Sequence, residues 1–441
     1  MAPPQVSFGV PMRQTHFGFS PDYTPLNHGS YGAHPIAVRE EHLAVRATAE
    51  EAPDPFIALN FAARLAKQRE LTASLLHSPG GADEIVFVPN ASTGTDTILK
   101  NLRWEAGRDV ILCYEFLYPA VASGIAWIAE RYGVGVEVVP VALPLSDDAF
   151  VEQMVNAARA VNNTKGEDGQ NKRVRLAIID TIASLPGARV PFERLVPALQ
   201  AEGALVHVDG AHGIGHIEID LAALNPDFFV TNLHKWLFVP RGCAAFYVPK
   251  RNQHLIRTTL PTSFGFRPLG PSTKSGQAGV EAEDEPGRFI NMFDFTGTND
   301  VTHWLCVEAA VKFREEICGG HANIQEYSHS IAQRGAAIAA ETLGTEIMDS
   351  PGSCLRNCNF ANVRLPLDVG SIPSPEKITP WMKITGVEES GTYFQTIIYR
   401  GHLYWRVSGT IYIEEADFHK GAKVLKGLCE RAEKGEHVQK G

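Results

Sequence analysis

The sequence predicts an α/β fold: a large domain around a mainly parallel β-sheet, followed by a smaller α+β domain. Two observations support this prediction. From about residue 83, short apolar runs alternate with amphipathic stretches, which is typical of βα units. The chain also has 441 residues, 44% of them hydrophobic, which is enough to fill the cores of two domains.

The elements of the predicted large domain follow one another as strand and helix. The runs predicted as strands are 84–88, 109–113, 136–141, 174–179, 205–208, 227–230 and 244–248. The stretches predicted as helices between them are 95–104, 119–131, 147–161 and 192–201. The last strand, 244–248, is expected to return antiparallel to its neighbours.

The domain boundaries follow from where this alternation begins and ends. We expect an N-terminal arm over 1–28, the large domain over 29–300 and the small domain over 301–441. A long helix at 300–315 should link the two domains. Residues 262–288 are rich in Gly, Pro, Ser and acidic residues and lack periodicity, so they form either a lid near the active site or a plain surface loop.

Composition excludes several classes of function. The net charge of −10 argues against a nucleic-acid or anionic-membrane partner, since both normally bind a basic face. The seven cysteines are odd in number and scattered, which suggests reduced thiols and a cytoplasmic location, with no metal-type spacing. There is no apolar run of about 18 residues and no signal-peptide pattern, so we expect neither a membrane span nor secretion.

The most informative residues are an aspartate and a lysine at the ends of successive strands. Asp209 is the last residue of one apolar run. Lys235 lies 26 residues later, shortly after the end of the next apolar run. Pyridoxal phosphate (PLP) chemistry requires a lysine that forms a Schiff base and a carboxylate that keeps the pyridine nitrogen protonated. Burial lowers the pKa of a lysine toward a nucleophilic amine, which can also move a proton at the substrate Cα. Taken alone, Lys235 could be a surface lysine and Asp209 a helix cap.

Other residues fit the same chemistry, each with a plainer alternative. Residues 90–95 follow the first strand and open a helix, where the amides and the helix dipole favour a phosphate, although such starts are common as caps. Tyr118, after the next strand, could stack on a planar ring or pack in the core. His212 could contact the ring or sit in a turn. Arg406, inside an apolar strand, needs an anion: a substrate carboxylate or an internal salt bridge.

With these residues in place, the chain resembles the PLP-dependent class-V aminotransferase family of fold type I, in its isopenicillin-N-epimerase-like branch. The motifs that carry the resemblance are Leu-Asn-His-Gly-Ser-Tyr-Gly at 26–32 and Leu-His-Lys-Trp-Leu-Phe-Val-Pro-Arg-Gly at 233–242. The resemblance extends to about residue 412. It implies a seven-stranded sheet between helices, a small C-terminal domain, and a homodimer whose active sites are shared between subunits.

The resemblance also implies a role for each matching residue. Lys235 would carry the cofactor, Asp209 would face the pyridine nitrogen, and Thr298 would reach the phosphate in a neighbouring subunit. The full set implied for PLP is Ser92, Thr93, Gly94, Tyr118, Ser184, Asp209, His212, Asn232, His234, Lys235 and Thr298. The set implied for an amino-acid substrate is Asn27, His28, Ser30 and Arg406. Tyr118 and Thr181 depart from patterns common in the family, which affects the substrate contacts rather than cofactor binding.

Several reactions remain open on the sequence. A cysteine desulfurase needs a mobile cysteine shortly before the carboxylate-binding arginine, and no cysteine lies between Cys358 and Cys429. Transamination, epimerisation and β-elimination stay possible. The chain also resembles fungal C–S lyases of ergothioneine biosynthesis, which implies β-elimination of hercynylcysteine sulfoxide to a sulfenic acid, pyruvate and ammonia. Lys235 would then take the Cα proton, and Tyr114 or Tyr118 would protonate the leaving oxygen. A PLP fold without turnover is disfavoured because both Lys235 and Asp209 are present.

Overall fold

The central element of the molecule is a seven-stranded sheet, seen in a computed structural model that describes residues 4–263, 266 and 287–439. The strands of the described residues are β1 (Ile85–Val88), β2 (Asp109–Tyr114), β3 (Gly135–Val139), β4 (Arg173–Asp180), β5 (Ile182–Ala183), β6 (Ala188–Arg189), β7 (Leu205–Asp209), β8 (Phe228–Asn232), β9 (Ala244–Tyr247), β10 (Phe360–Arg364), β11 (Thr396–Tyr399) and β12 (His402–Ser408).

The order of the large sheet is β1-β9-β8-β7-β4-β2-β3. Neighbours from β8 to β3 run parallel, whereas β9 is antiparallel to both β1 and β8, which confirms the predicted sheet and its returning strand. Central strands such as β2 are buried throughout because helices cover both faces. The edge strand β3 alternates between partly buried and exposed residues over most of its length.

Helices flank this sheet and build the second domain. The long helices are Ile36–Glu51, Phe61–Leu75, Ala91–Asn101, Pro119–Tyr132, Asp147–Asn162, Phe192–Ala201, His321–Leu343, Ile378–Ser390 and Glu415–Glu433. The short helices and helical turns are Val10–His16, His28–Tyr31, Pro53–Pro55, Phe56–Asn60, Gly81–Glu84, Leu221–Leu224, Leu233–Trp236, Lys250–Leu255, Arg288–Asp294, Thr302–Cys306, Val307–Lys312, Phe313–Ile317, Val369–Ser371, Pro375–Lys377 and Glu436–Gln439.

Two helix predictions were wrong in their bounds. The helix expected from residue 95 begins at Ala91, because the Asn90 side chain caps it by accepting a hydrogen bond from the Thr93 amide. The single helix expected at 300–315 is three shorter helical pieces between residues 302 and 317. The predicted lid or surface loop at 262–288 lies outside the described residues, apart from positions 262, 263, 266, 287 and 288.

A second hydrophobic core lies around the three-stranded antiparallel sheet β10-β12-β11. Helices His321–Leu343 and Glu415–Glu433 pack together against it. This core also contains Met12, Phe17 and Leu26 from the start of the chain. The proposed domain boundaries at residues 28 and 300 remain predictions. Among the described helices, none has both the length and the apolar character needed to cross a bilayer.

Candidate active site

Lys235 lies at the carboxyl edge of the large sheet. β7 ends at Asp209, and the neighbouring parallel strand β8 ends at Asn232, one residue before the turn that carries Lys235. Parallel strands present their carboxyl ends at the same edge, where open α/β sheets bind ligands. There the Nζ atom of Lys235 lies 3.1 Å from Nε2 of His212. The structure therefore brings Asp209, His212 and Lys235 to the same edge of the sheet, as the sequence predicted.

The hydrogen bonds of His212 favour the neutral form of Lys235. The indole N–H of Trp236 donates to Nδ1 of His212 at 3.2 Å, so a neutral ring must carry its proton on Nε2. That proton points to Lys235 Nζ, which can accept it only as a neutral amine. Burial lowers the pKa of Lys235 to about 8, partly opposed by the negative charge of Asp209. The sequence analysis did not assign Trp236 any part in this arrangement.

Two carboxyl groups lie side by side at this edge. Asp180, the last residue of β4, is the register partner of Asp209, whose Oδ1 accepts the Ala211 amide at 2.9 Å. Burial raises the pKa of both carboxyl groups, and the charge of Asp209 raises the pKa of Asp180 further. The hydroxyl of Tyr114 donates to Asp180 Oδ2, and its oxygen accepts the Asp180 amide at 2.8 Å. Tyr114 is thus fully engaged and buried, and Asp180 is a residue that the sequence analysis missed.

Arg406 is buried and held by neutral groups. Its Nη1 donates to the Ser184 carbonyl at 2.8 Å, and its Nη2 donates to Asn27 Oδ1 at 2.8 Å and to Ser30 Oγ at 3.0 Å. Its Cζ lies 4.4 Å from the ring centroid of Phe360. No carboxylate of the described residues pairs with Arg406, which is only 1% exposed, and burial lowers its pKa to about 9. A buried cation without an anion fits the carboxylate of a substrate.

Two glycines make room for this arginine and its neighbour. A Cβ on Gly187 would lie 2.6 Å from Cδ of Arg406, and a Cβ on Gly29 would lie 2.3 Å from the Phe360 ring. The Phe360 ring is also 5.3 Å from the His212 ring, centroid to centroid. Phe360 therefore connects the arginine to the histidine beside the lysine.

Both ring nitrogens of His28 contact protein groups. Its Nε2–H donates to the Lys235 carbonyl at 2.8 Å, so its Nδ1 accepts the hydroxyl of Tyr412 at 2.7 Å. Burial lowers the pKa of His28 to about 3, so the ring is neutral. Both nitrogens are occupied by protein atoms, and the geometry fits a support for the lysine backbone better than a direct substrate contact.

The helix that begins at Ala91 has few free donors at its N-terminus. The Ala91 amide donates to Asn232 Oδ1 at 2.9 Å, and the Thr93 amide donates to Asn90 Oδ1 at 2.9 Å. Among the described residues, the amide and hydroxyl of Ser92 keep no protein partner. These two groups can therefore meet a phosphate, with the helix dipole behind them.

Gly94 and His234 support the same end of the site. A Cβ on Gly94 would lie 2.7 Å from Cγ2 of Val230, so a glycine lets the helix approach β8. His234 Nδ1–H donates to the Cys243 carbonyl at 2.9 Å, which leaves Nε2 as an acceptor. An acceptor suits a phosphate only when the phosphate or the ring carries a proton.

Tyr118 and Thr298 lie outside the contacts described above. Tyr118 precedes the helix Pro119–Tyr132 and is 46% exposed. Thr298 is exposed, on the wall of a surface cleft of about 320 Å³. The structure therefore leaves both side chains accessible without bringing either against Lys235.

The residues present fit PLP. A buried carboxyl group lies at a strand end, a buried lysine amine with a lowered pKa lies against a histidine, and a helix N-terminus offers Ser92. Thr181 adds a buried hydroxyl that has no partner among the described residues. Together these donors and acceptors match a cofactor with a phosphate, a pyridine nitrogen and an aldehyde.

Comparisons with known proteins agree with this fit. The family model described as aminotransferase class-V matches residues 55–366. An L-cysteine desulfhydrase-like protein (lolT1) of Epichloe uncinata is 35% identical over 449 residues, covering 97% of each chain. The hercynylcysteine sulfoxide lyase of Schizosaccharomyces pombe is 31% identical, covering 96% of this chain and 98% of that protein.

The fold is shared with solved structures at lower identity. The cystine C–S lyase C-DES, in complex with its product cysteine persulfide, superposes with a TM-score of 0.70 at 19% identity, covering 92% of this chain and 97% of that one. This similarity concerns the fold alone.

Proposed function

This chain belongs to the aminotransferase class-V family of PLP-dependent enzymes, and from that membership we propose that it is a carbon–sulfur lyase whose substrate is hercynylcysteine sulfoxide. The observation that carries the proposal is Arg406, a buried cation without a carboxylate partner among the described residues. It is linked through Phe360 and His212 to Lys235. This arrangement can hold the α-carboxylate of an amino acid while its Cα faces the lysine amine.

The protein residues divide the reaction between them. Bound PLP supplies an electron sink for the negative charge that develops at Cα. Arg406 binds the α-carboxylate, and Asp209 would hold a proton at the pyridine nitrogen of the bound cofactor. Lys235 Nζ accepts the Cα proton, the Cβ–S bond breaks with its electron pair on the sulfenate, and a Cα–Cβ double bond forms. The released aminoacrylate takes up water and gives pyruvate and ammonia.

The proton for the leaving sulfenate comes from a tyrosine in this proposal. Tyr118 is exposed and therefore accessible, which supports it as the acid. The Tyr114 hydroxyl is bonded to Asp180, and burial raises its pKa well above the usual value. These contacts support Tyr114 as a positioning residue for the two carboxyl groups.

We also propose a homodimer in which Thr298 contacts the phosphate bound by a second copy. The exposure of Thr298 supports this arrangement. A cytoplasmic location is supported by the seven cysteines, all of which are free thiols.

The deciding experiment is pyruvate release from purified, PLP-loaded protein given hercynylcysteine sulfoxide. Pyruvate should form rapidly with the wild-type protein and fall to background with Lys235→Ala. Absence of pyruvate from a protein that retains its PLP absorbance would exclude the lyase proposal. Epimerisation or transamination would then show as exchange of the Cα hydrogen with solvent deuterium without loss of sulfur.

L-Cysteine is the second candidate substrate, because relatives at 35% and 34% identity over nearly the whole chain are L-cysteine desulfhydrase-like proteins. The two substrates are distinguished by the sulfur product. Sulfide release from L-cysteine with a higher kcat/KM than pyruvate release from the sulfoxide would assign desulfhydration instead.

A further inference from the structure

A separate cluster of potential metal ligands lies away from Lys235. His42, on the helix Ile36–Glu51, meets Asp300 and His303 at the start of the linker to the second domain. One possible ligand atom from each residue lies within 4.8 Å of the others. In the single chain both histidines are partly buried and Asp300 is exposed.

The hydrogen bonds of the two histidines leave one nitrogen lone pair free on each. His303 Nε2–H donates to the Gly242 carbonyl at 2.8 Å, so Nδ1 carries the lone pair. The Thr302 hydroxyl donates to Asp300 Oδ1 at 2.6 Å, so its oxygen accepts Nε2–H of His42 at 3.2 Å. A histidine whose second nitrogen donates to a carbonyl or hydroxyl is oriented in the way that metal ligands usually are.

A cation already contacts the carboxylate of this cluster. Arg46 Nε lies 3.0 Å from Asp300 Oδ2, and both side chains are about half-exposed. Exposed ion pairs of this kind contribute little free energy, typically below about 1 kcal/mol. A divalent ion bound by two imidazoles and a carboxylate can displace it.

We propose that His42, Asp300 and His303 bind one divalent transition-metal ion of the Zn²⁺ type. Two imidazoles and one carboxylate suit Zn²⁺ and leave a fourth position for water or another ligand. Tetrahedral Zn²⁺ places its ligand atoms about 3.4 Å apart, so ligand atoms that lie within 4.8 Å of one another need approach by at most about 1.4 Å on binding. The ion ties the helix Ile36–Glu51 to the turn that follows Thr298.

The test is calorimetric titration of the PLP-loaded protein, after dialysis against a chelator, with ZnCl₂. We expect one ion per chain, a rise in Tm on binding, and no competition from Mg²⁺, which prefers oxygen ligands. His42→Gln and Asp300→Asn should each weaken binding at least about tenfold. Arg46→Gln should strengthen it, because the competing cation is gone.

The chain offers a matched control in His77. This exposed histidine also faces an aspartate, with Nδ1 of His77 3.7 Å from Oδ2 of Asp220, but within the described part of the chain it belongs to no group of three potential metal ligands. His77→Gln should leave Zn²⁺ binding unchanged. The proposal is overturned if wild type, His42→Gln and Asp300→Asn bind Zn²⁺ equally, provided that all three melt alike in chelator.

Discussion

The indole N–H of Trp236 donates a 3.2 Å hydrogen bond to Nδ1 of His212, and Nε2 of the same ring lies 3.1 Å from Lys235 Nζ. The tryptophan thereby selects the tautomer of the histidine, and the histidine can donate only to a neutral lysine amine. Two residues adjacent in sequence, Lys235 and Trp236, thus act on the two nitrogens of one ring.

Trp236→Phe removes the donor and lets the proton of His212 move to Nδ1. We expect the pKa of Lys235 to rise, because its neutral form loses a hydrogen bond. The rate of pyruvate release should fall about tenfold at pH 7 and recover toward pH 9. The measurement is the pH profile of kcat/KM. Trp104→Phe removes an indole donor that bonds to the Leu99 carbonyl at 2.9 Å, and its profile should match the wild type.

Arg406→Lys keeps the positive charge but loses the bidentate hydrogen bonding of a guanidinium to a carboxylate. We expect kcat/KM to fall by about 100-fold or more, since the lysine cannot hold both carboxylate oxygens. Arg364→Lys is the control, because Arg364 lies on the adjacent strand β10 and pairs with Glu346 at the surface. If the two variants had the same kcat/KM, a role for Arg406 in binding the substrate carboxylate would be excluded.

Gly32 and Gly81 both have a positive φ, of 66° and 64° respectively. A Cβ on Gly32 would lie 1.9 Å from the His234 carbonyl oxygen, whereas a Cβ on Gly81 meets nothing within 4 Å. Gly81→Ala should cost about 1–2 kcal/mol of unfolding free energy from backbone strain alone. Gly32→Ala should lower the free energy of unfolding clearly more than Gly81→Ala does. It should also weaken PLP binding, because the turn Leu233–Trp236, which carries Lys235, must shift to make room. Denaturant unfolding and PLP titration measure both.

The cysteines should be dispensable for the reaction. Burial raises the pKa of the Cys354 thiol to about 12 and that of Cys358 to about 11, so neither is an effective nucleophile near neutral pH. Cys354→Ala should keep full pyruvate release, and iodoacetamide should not inactivate the native protein. Loss of activity together with a trapped persulfide on either cysteine would indicate a desulfurase.

Lys235→Met should stabilise the apoprotein at neutral pH. The pKa of Lys235 is lowered from 10.5 to about 8 in the folded chain, so charging it costs free energy below pH 8. Between pH 8 and 10.5 the unfolded chain binds more protons, and the wild type gains stability as the pH rises. The increase in Tm caused by the substitution should therefore be largest near pH 7 and shrink toward pH 10. A constant difference would contradict the lowered pKa.

The sequence predicted the large sheet well because buried parallel strands are continuous apolar runs. It failed where side chains redirect the backbone. Asn90 starts its helix early, and the side chain of Asp300 accepts the amide and hydroxyl of Thr302, so the backbone turns there before helical structure begins. These interactions are local, but the periodicity of apolar residues does not report them.

For the site, the sequence identified the groups that a strand end carries, such as Asp209, Lys235 and Arg406. Asp180 and Trp236 were missed. Asp180 acts on Asp209, which is its neighbour across two strands but is distant in sequence. Trp236 acts through the nitrogen of His212 that faces away from Lys235. His28 was found from its motif, yet its two nitrogens contact Lys235 and Tyr412. Only the three-dimensional contacts separate a supporting residue from one that faces the substrate.

The packing of Met12, Phe17 and Leu26 with Phe418 and Leu425 has a consequence for synthesis of the chain. Residues 12–26 are synthesised before the strands of the large sheet, whereas Phe418 and Leu425 follow those strands in the chain. That core cannot close while the sheet strands between them are being made, so the early segment must wait with its apolar side chains uncovered.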